Sequence, residues 1–329
     1  MNFNEHLQNL QGLKDLGGSD KDLNLRTSRE KFKSLHYVLF ILIIVSFGTS
    51  TFAQTIKIEI SSAPQKAILF ELEGEKTTKV DSVFSKNDIF KFDLSDKHTG
   101  FYRLQLNKKH FLDFINDGKD VELKTNYKNI IDSLVIVNSE SNKLYYEFLK
   151  LNKSYKTKTD LLQLILTRYP QDDDYYTITQ KKLTEIQKDY LEFVNHTSQK
   201  TPNSFIARYI KSAQLPVIYG TLSINEQLDY LKKHSLDNVD FNDSEMIYSD
   251  LFTSKSIEYL TYYRNPQLPK ALLEKEFMKA ADTLLTKARV NELVYQHIVE
   301  YLIDGFTKFG FDNIIDYIIT NYVMADDLC

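Results

Sequence analysis

One cysteine, no tryptophan, ten glycines and six prolines stand in a chain of 329 residues, and each scarcity closes off a class of protein. A single thiol excludes an internal disulfide framework and any Cys-x-x-Cys redox pair. So few glycines leave little material for loops that cradle phosphate, and no Gly-rich phosphate loop or Gly-x-Ser-x-Gly elbow occurs. Charge of one sign is also lacking. The formal net charge is −4, and Lys and Arg are spread along the chain instead of forming a stripe. Nucleic acid and an anionic membrane surface are therefore not expected partners. The seven histidines, at 6, 36, 98, 110, 196, 234 and 297, include no two spaced four apart, so the zinc-peptidase pair is absent.

The remaining composition, 42% hydrophobic and 26% charged, is that of a folded globular protein, and the length suffices for two ordinary domains. The longest apolar run, Tyr37 to Phe47, spans about eleven residues, short of the ~20 that cross a bilayer as a helix. Arg26, Arg29, Lys31 and Lys33 precede it, and Thr51-Phe52-Ala53 comes after it with small residues at the −3 and −1 positions of a cleavage site. Basic, apolar, small-x-small is the order of a secretory signal. Residues 35–53 are thus expected to be a signal peptide cut between Ala53 and Gln54, or else an uncleaved anchor, the only membrane contact of the chain. Either version places the residues beyond 53 outside the cytoplasm. The polar stretch 1–34 has no apolar periodicity and is expected to be disordered, or to reflect a start site assigned too early. No Cys stands just after the apolar run for lipid attachment.

From Thr55 to about Asn138 the apolar residues alternate. "TIKIEI", "KAILFELEG", "TKVDSVF", "IFKFDLS", "GFYRLQLN", "FLDFINDG", "DVELKTNY" and "SLVIVNS" are short runs separated by turn residues at roughly ten-residue intervals. This predicts a small antiparallel β-sandwich over 54–138. "NDGKD" reads as a tight hairpin with Gly118 at positive φ. Near Ser139 the period becomes helical, and an irregular all-α bundle of about seven or eight helices is expected over 139–329. Its faces include Leu144, Tyr145, Phe148 and Leu149; Leu183, Ile186, Tyr190 and Val194; and Val290, Leu293, Val294, Ile298, Tyr301 and Leu302. "SINE" at Ser223 to Glu226 is a capping box. Pro202 and Pro269 suit first helical turns, and Gly305 and Gly310 bracket a link between the last two helices. The fold class is α+β with the two kinds of structure in separate domains.

Candidate sites meet mundane alternatives. "DNVDFND" at Asp237 to Asp243 alternates oxygen ligands, but Asp243 stands where a calcium loop needs Gly and Ser249 where it needs a bidentate Glu, so a solvated loop is expected. "PQDDDYY" reads as an acidic helix start. His297 shares a face with Val294 and Tyr301 and reads as a packing residue. The pairs Tyr145-Tyr146, Tyr175-Tyr176 and Tyr262-Tyr263 would line a glycan or peptide groove, or divide between core and rim. Cys329 lacks a base or cation to form thiolate, with Asp326 and Asp327 beside it. No catalytic, cofactor-binding or metal residue is assigned, no cofactor is expected, and the chain is read as a non-enzyme.

The order of signal, "IKIEI…KAILFELEG…DSVFSKNDIFKFDL…GFYRLQL" and a helical region closing on "FTKFGFDNIIDYIITNYVMADDLC" resembles the front half of certain Gram-negative envelope proteins. In that family a β-rich and a helical domain of unknown function precede a thioredoxin-like thiol–disulfide oxidoreductase domain. The likeness covers roughly residues 55 to 329. The family's active site is a Trp-Cys-x-x-Cys or similar motif, and this chain has neither a Trp nor a second Cys. The resemblance therefore implies an exported accessory module, cut short ahead of the redox domain, whose partner is a thioredoxin-like domain or another envelope protein. The alternative is a self-contained periplasmic or surface protein binding glycan or peptide. A third, weaker alternative is a hydrolase, which requires clustered carboxylates or a Ser/His pair in a pocket.

Overall fold

In the computed structural model, residues 54–324 are described. The 1–34 and 35–53 segments, Ala53 included, and Cys329 lie outside them.

Eight strands come first: β1 (Ile56–Ser61), β2 (Lys66–Glu73), β3 (Lys76–Phe84), β4 (Ile89–Phe92), β5 (Gly100–Gln105), β6 (Phe111–Asn116), β7 (Val121–Asn126) and β8 (Val135–Asn138). They form two four-stranded sheets, ordered β4-β1-β7-β8 and β3-β2-β5-β6. Alternation explains their packing. Ile56, Ile58 and Ile60 of β1 and Leu123 of β7 meet Leu69, Tyr102, Leu104, Leu112 and Phe114 of the other sheet in one buried core. The predicted α+β class, strands then helices in separate parts of the chain, is what the structure has.

Two details differ from expectation. Antiparallel pairing holds except between β1 and β7, which run parallel in the register Ile56↔Val121 to Ser61↔Asn126. The chain leaves the first sheet after β1, returns as β4 on one side of it, leaves again for β5 and β6, and comes back as β7 on the other side, parallel to β1. For the same reason "NDGKD" is no hairpin: Gly118 does take φ +76, but β6 and β7 belong to different sheets.

Eight α-helices come next among the described residues: α1 (Glu140–Arg168), α2 (Asp174–Lys200), α3 (Phe205–Ala213), α4 (Ile224–His234), α5 (Leu251–Thr261), α6 (Lys270–Ala288), α7 (Glu292–Lys308) and α8 (Asp312–Ile318). A turn of π-helix, Ile319–Val323, extends the last. Ser139 caps α1 by accepting from Asn142 N–H, and the Ser223–Glu226 capping box is complete on α4. Pro269 is the N-cap of α6, whereas Pro202 lies in the link between α2 and α3. Val290 and Leu293, predicted on the buried face, are exposed because α7 begins at Glu292 and its inward stripe runs through Val294, Ile298 and Leu302. Gly305 lies inside α7; only Gly310, at φ +66, serves the link.

The second sheet also buries part of its outer face, on β2, β5 and β6. Leu72, Phe101 and Ile115 point away from the sandwich and join the helical core. There Phe101 meets Phe205 and Tyr209 of α3 and Tyr145 of α1, with ring centroids 4.8–5.9 Å apart. Asn142 adds a polar link, exchanging hydrogen bonds with the Ile115 N–H (2.8 Å) and carbonyl (2.9 Å).

Candidate functional site

Strands β2 and β3 are joined by the two-residue turn Gly74-Glu75, with Gly74 at φ +60. Glycine at the first central position is what a II′ hairpin turn asks for. The turn is pressed onto the helices. Gly74 N–H donates to the carbonyls of Ile247 (3.2 Å) and Ser249 (3.0 Å). A Cβ on Gly74 would stand 2.7 Å from Thr253 Cγ2 and 3.0 Å from the His297 ring, so no larger residue fits without displacement.

Charged groups surround this contact. Lys76 of β3 pairs with Glu300 of α7. Glu75 stands 3.8 Å from Lys308 Nζ and accepts from the Tyr301 hydroxyl at 3.4 Å. Glu73 Oε1 lies 3.5 Å from His297 Nδ1. Glu73, Glu75, Lys76, His297, Tyr301 and Lys308, with Thr253 and Asp304, line a cleft of about 130 Å³. His297 is buried, and burial lowers its pKa, outweighing the opposing pull of Glu73 and Glu300. Its Nε2 has no hydrogen-bond partner and faces Gly74. Burial, then Glu75, pushes the Tyr301 hydroxyl far above its usual range.

The chemistry open to this cleft is narrow. A general base must reach its substrate's proton, whereas one nitrogen of His297 faces Glu73 and the other is sealed against the hairpin. The nearby Thr253 hydroxyl donates to the Asp250 carbonyl of its own helix (3.0 Å). The cluster clasps the strand-built part to the helices.

Beyond Tyr301 lies a different surface. Helices α5, α6 and α7 and the α7–α8 link enclose a cavity of about 450 Å³, walled by Leu260, Leu273, Phe277, Leu302, Phe306 and Phe311. Phe309 and Ile257 stand exposed at its edge.

The residues singled out in the sequence do not converge. His297 is buried on its predicted face. Tyr145 and Tyr146 sit at the strand–helix junction, Tyr146 donating to the Asp113 carbonyl. Tyr176 packs with Leu166 and Leu183 while Tyr175 is exposed; Tyr262 and Tyr263 gather round Tyr259. No groove unites the three pairs. In the Asp237 to Asp243 loop, Asp243 is engaged by Arg208 (2.6 Å) and Asp240 accepts from Asn242 N–H. Asp173 caps α2. His98 and His110 stack on Tyr248 and Tyr127, and His234 pairs with Asp237. The clustering of Glu73, Glu75, Lys76 and Glu300 escapes a reading of the sequence. Their one local signal is the charged "ELEGEK" turn, and nothing local names partners on a helix more than 220 residues away.

Among the described residues, no group of three or more His, Cys, Asp or Glu is placed to hold a metal ion, and no helix is long and apolar enough to cross a membrane. In comparisons with known proteins, no family model, curated protein or solved structure matches the chain.

Proposed function

We propose that the chain is an exported, non-catalytic interaction module, the accessory part of a thioredoxin-like envelope protein that positions the redox domain or holds its clients. One observation carries this reading. The polar cleft at the strand–helix junction has its Glu73 and His297 and its Glu75 and Lys308 set against each other, and its Lys76 paired with Glu300 of α7. Groups engaged in that way stiffen a scaffold and leave no nucleophile–base couple for a substrate. The single cysteine of the chain supports the same view, since dithiol exchange needs two sulfurs. The separated tyrosine pairs weaken the glycan- or peptide-groove alternative.

Export follows from the basic, apolar, small-x-small order of residues 26–53, and the seat of Gln54 is compatible with it. Its side chain is buried, donating to Asn116 Oδ1 (2.7 Å) and to the Lys119 carbonyl (2.6 Å). A chain cut between Ala53 and Gln54 would keep all of these contacts. The test is expression of the full gene in a Gram-negative host, followed by envelope fractionation, N-terminal sequencing and co-purification with a thioredoxin-like protein. The reading expects an envelope protein beginning at Gln54 that brings such a partner down. A cytoplasmic product retaining residues 1–53 would refute export.

A further inference from the structure

The cavity between α5, α6 and α7 adjoins the clasp, sharing Tyr301 with it, but is walled by a different, apolar set of side chains. We infer that it is a binding site for a free medium-chain fatty acid, held by its alkyl chain within the helices and by its carboxylate at Arg264.

Three independent observations converge on that ligand. The first is size and lining. A volume of about 450 Å³ falls within the roughly 300–1,000 Å³ of small-molecule sites, which are mostly apolar with a few polar groups to orient the ligand. Aliphatic and aromatic walls without any acidic residue suit a hydrocarbon and reject a cation.

The second is charge. Among the described residues, Arg264 is the one charged side chain lining the cavity. It stands exposed just beyond the end of α5, and its guanidinium has no ion pair or hydrogen bond within the described residues, where other arginines such as Arg103 and Arg208 are paired. Lys270 adds a second positive charge near the same wall, 5.7 Å from the centre of the Phe311 ring. A fork of donors at the rim of an apolar hollow is built for a carboxylate.

The third is Gly305. It lies inside α7 and lines the cavity, and a Cβ built there meets no atom within 4 Å. Glycine inside a helix is less favourable than alanine. Here neither a positive φ nor a crowded neighbour demands it. Its effect is to leave the hollow unfilled.

The test uses the full chain and three probes of equal chain length: laurate, dodecylamine and dodecanol, titrated by calorimetry. Saturable binding of one laurate per chain is expected, with dodecanol weaker and dodecylamine weakest. Arg264→Glu should weaken laurate about tenfold and reverse its advantage over dodecylamine. Gly305→Leu should abolish binding of all three probes while leaving Tm equal or higher; if it misfolds, Gly305→Ala serves as the milder block. Failure of laurate to bind, equal binding of laurate and dodecylamine, or undiminished binding to a folded Gly305→Leu protein would each overturn the assignment. None of these results touches the accessory role, which is read from localisation and co-purification.

Discussion

His297 Nδ1 lies 3.5 Å from Glu73 Oε1, at the point where α7 receives the tip of the β2–β3 hairpin. A histidine so close to a carboxylate would ordinarily titrate high. Here burial is the larger influence and the pKa is lowered, so the imidazole is neutral in the folded protein near pH 7. Protonation would put a second N–H at Nε2, which has no acceptor and is closed off by Gly74.

That arrangement makes stability depend on pH with a definite sign. A folded-state pKa below the ordinary 6.5 means that the unfolded chain binds the proton first. The contribution is complete above pH 6.5 and is lost as pH falls through the lower folded value. Glu73 and Glu300 oppose the shift and Lys76 assists it. In urea unfolding between pH 8 and pH 5, wild type should lose more stability on acidification than His297→Gln. Parallel curves for the two proteins would contradict this.

Gly74 and the surface pair beside it should behave very differently. Gly74→Ala adds a Cβ at positive φ, 2.7 Å from Thr253 Cγ2, and should cost about 1–3 kcal/mol, read as a lowered urea midpoint. Lys76→Met removes one partner of a half-exposed ion pair with Glu300 and should cost under about 1 kcal/mol. Equal losses would mean that charge, not backbone fit, holds the hairpin down.

Phe101 links the two parts of the fold, since its ring is buried among Tyr145, Phe205 and Tyr209. Phe101→Ala should cost about 3–5 kcal/mol. In wild type, near-ultraviolet and far-ultraviolet circular dichroism should report one coincident thermal transition, because Leu72, Phe101 and Ile115 belong to the helical core. Two separated transitions would show that strands and helices unfold independently.

Calcium should leave the protein unaffected. Asp243, standing where a calcium loop needs Gly, is bound to Arg208, and the would-be ligand Asp240 accepts from Asn242 N–H, so excess calcium should not shift Tm, whereas a native-state ligand would raise it.

Local pattern carries much of this architecture. Ile56, Ile58 and Ile60 alternate so cleanly that β1 and its buried face can be read directly, and Ser139 and Ser223 mark helix starts through chemistry confined to one turn. Features that depend on distant partners are not legible. The parallel pairing of β1 with β7 is a matter of chain path, which alternation does not encode. Gly305 reads as a helix breaker because its neighbours in sequence, not the empty space beside it, are all that local pattern offers. The clasp joins Glu73, Glu75 and Lys76 to residues on α7, and a charged turn in isolation is indistinguishable from an ordinary solvated one.

Redox activity without a partner is the most direct measure of the accessory role. The purified full chain, given dithiothreitol and insulin, should precipitate insulin no faster than reductant alone, and Cys329→Ser should behave identically. Acceleration by the chain unaided, lost in the Cys329→Ser protein, would contradict a non-catalytic role.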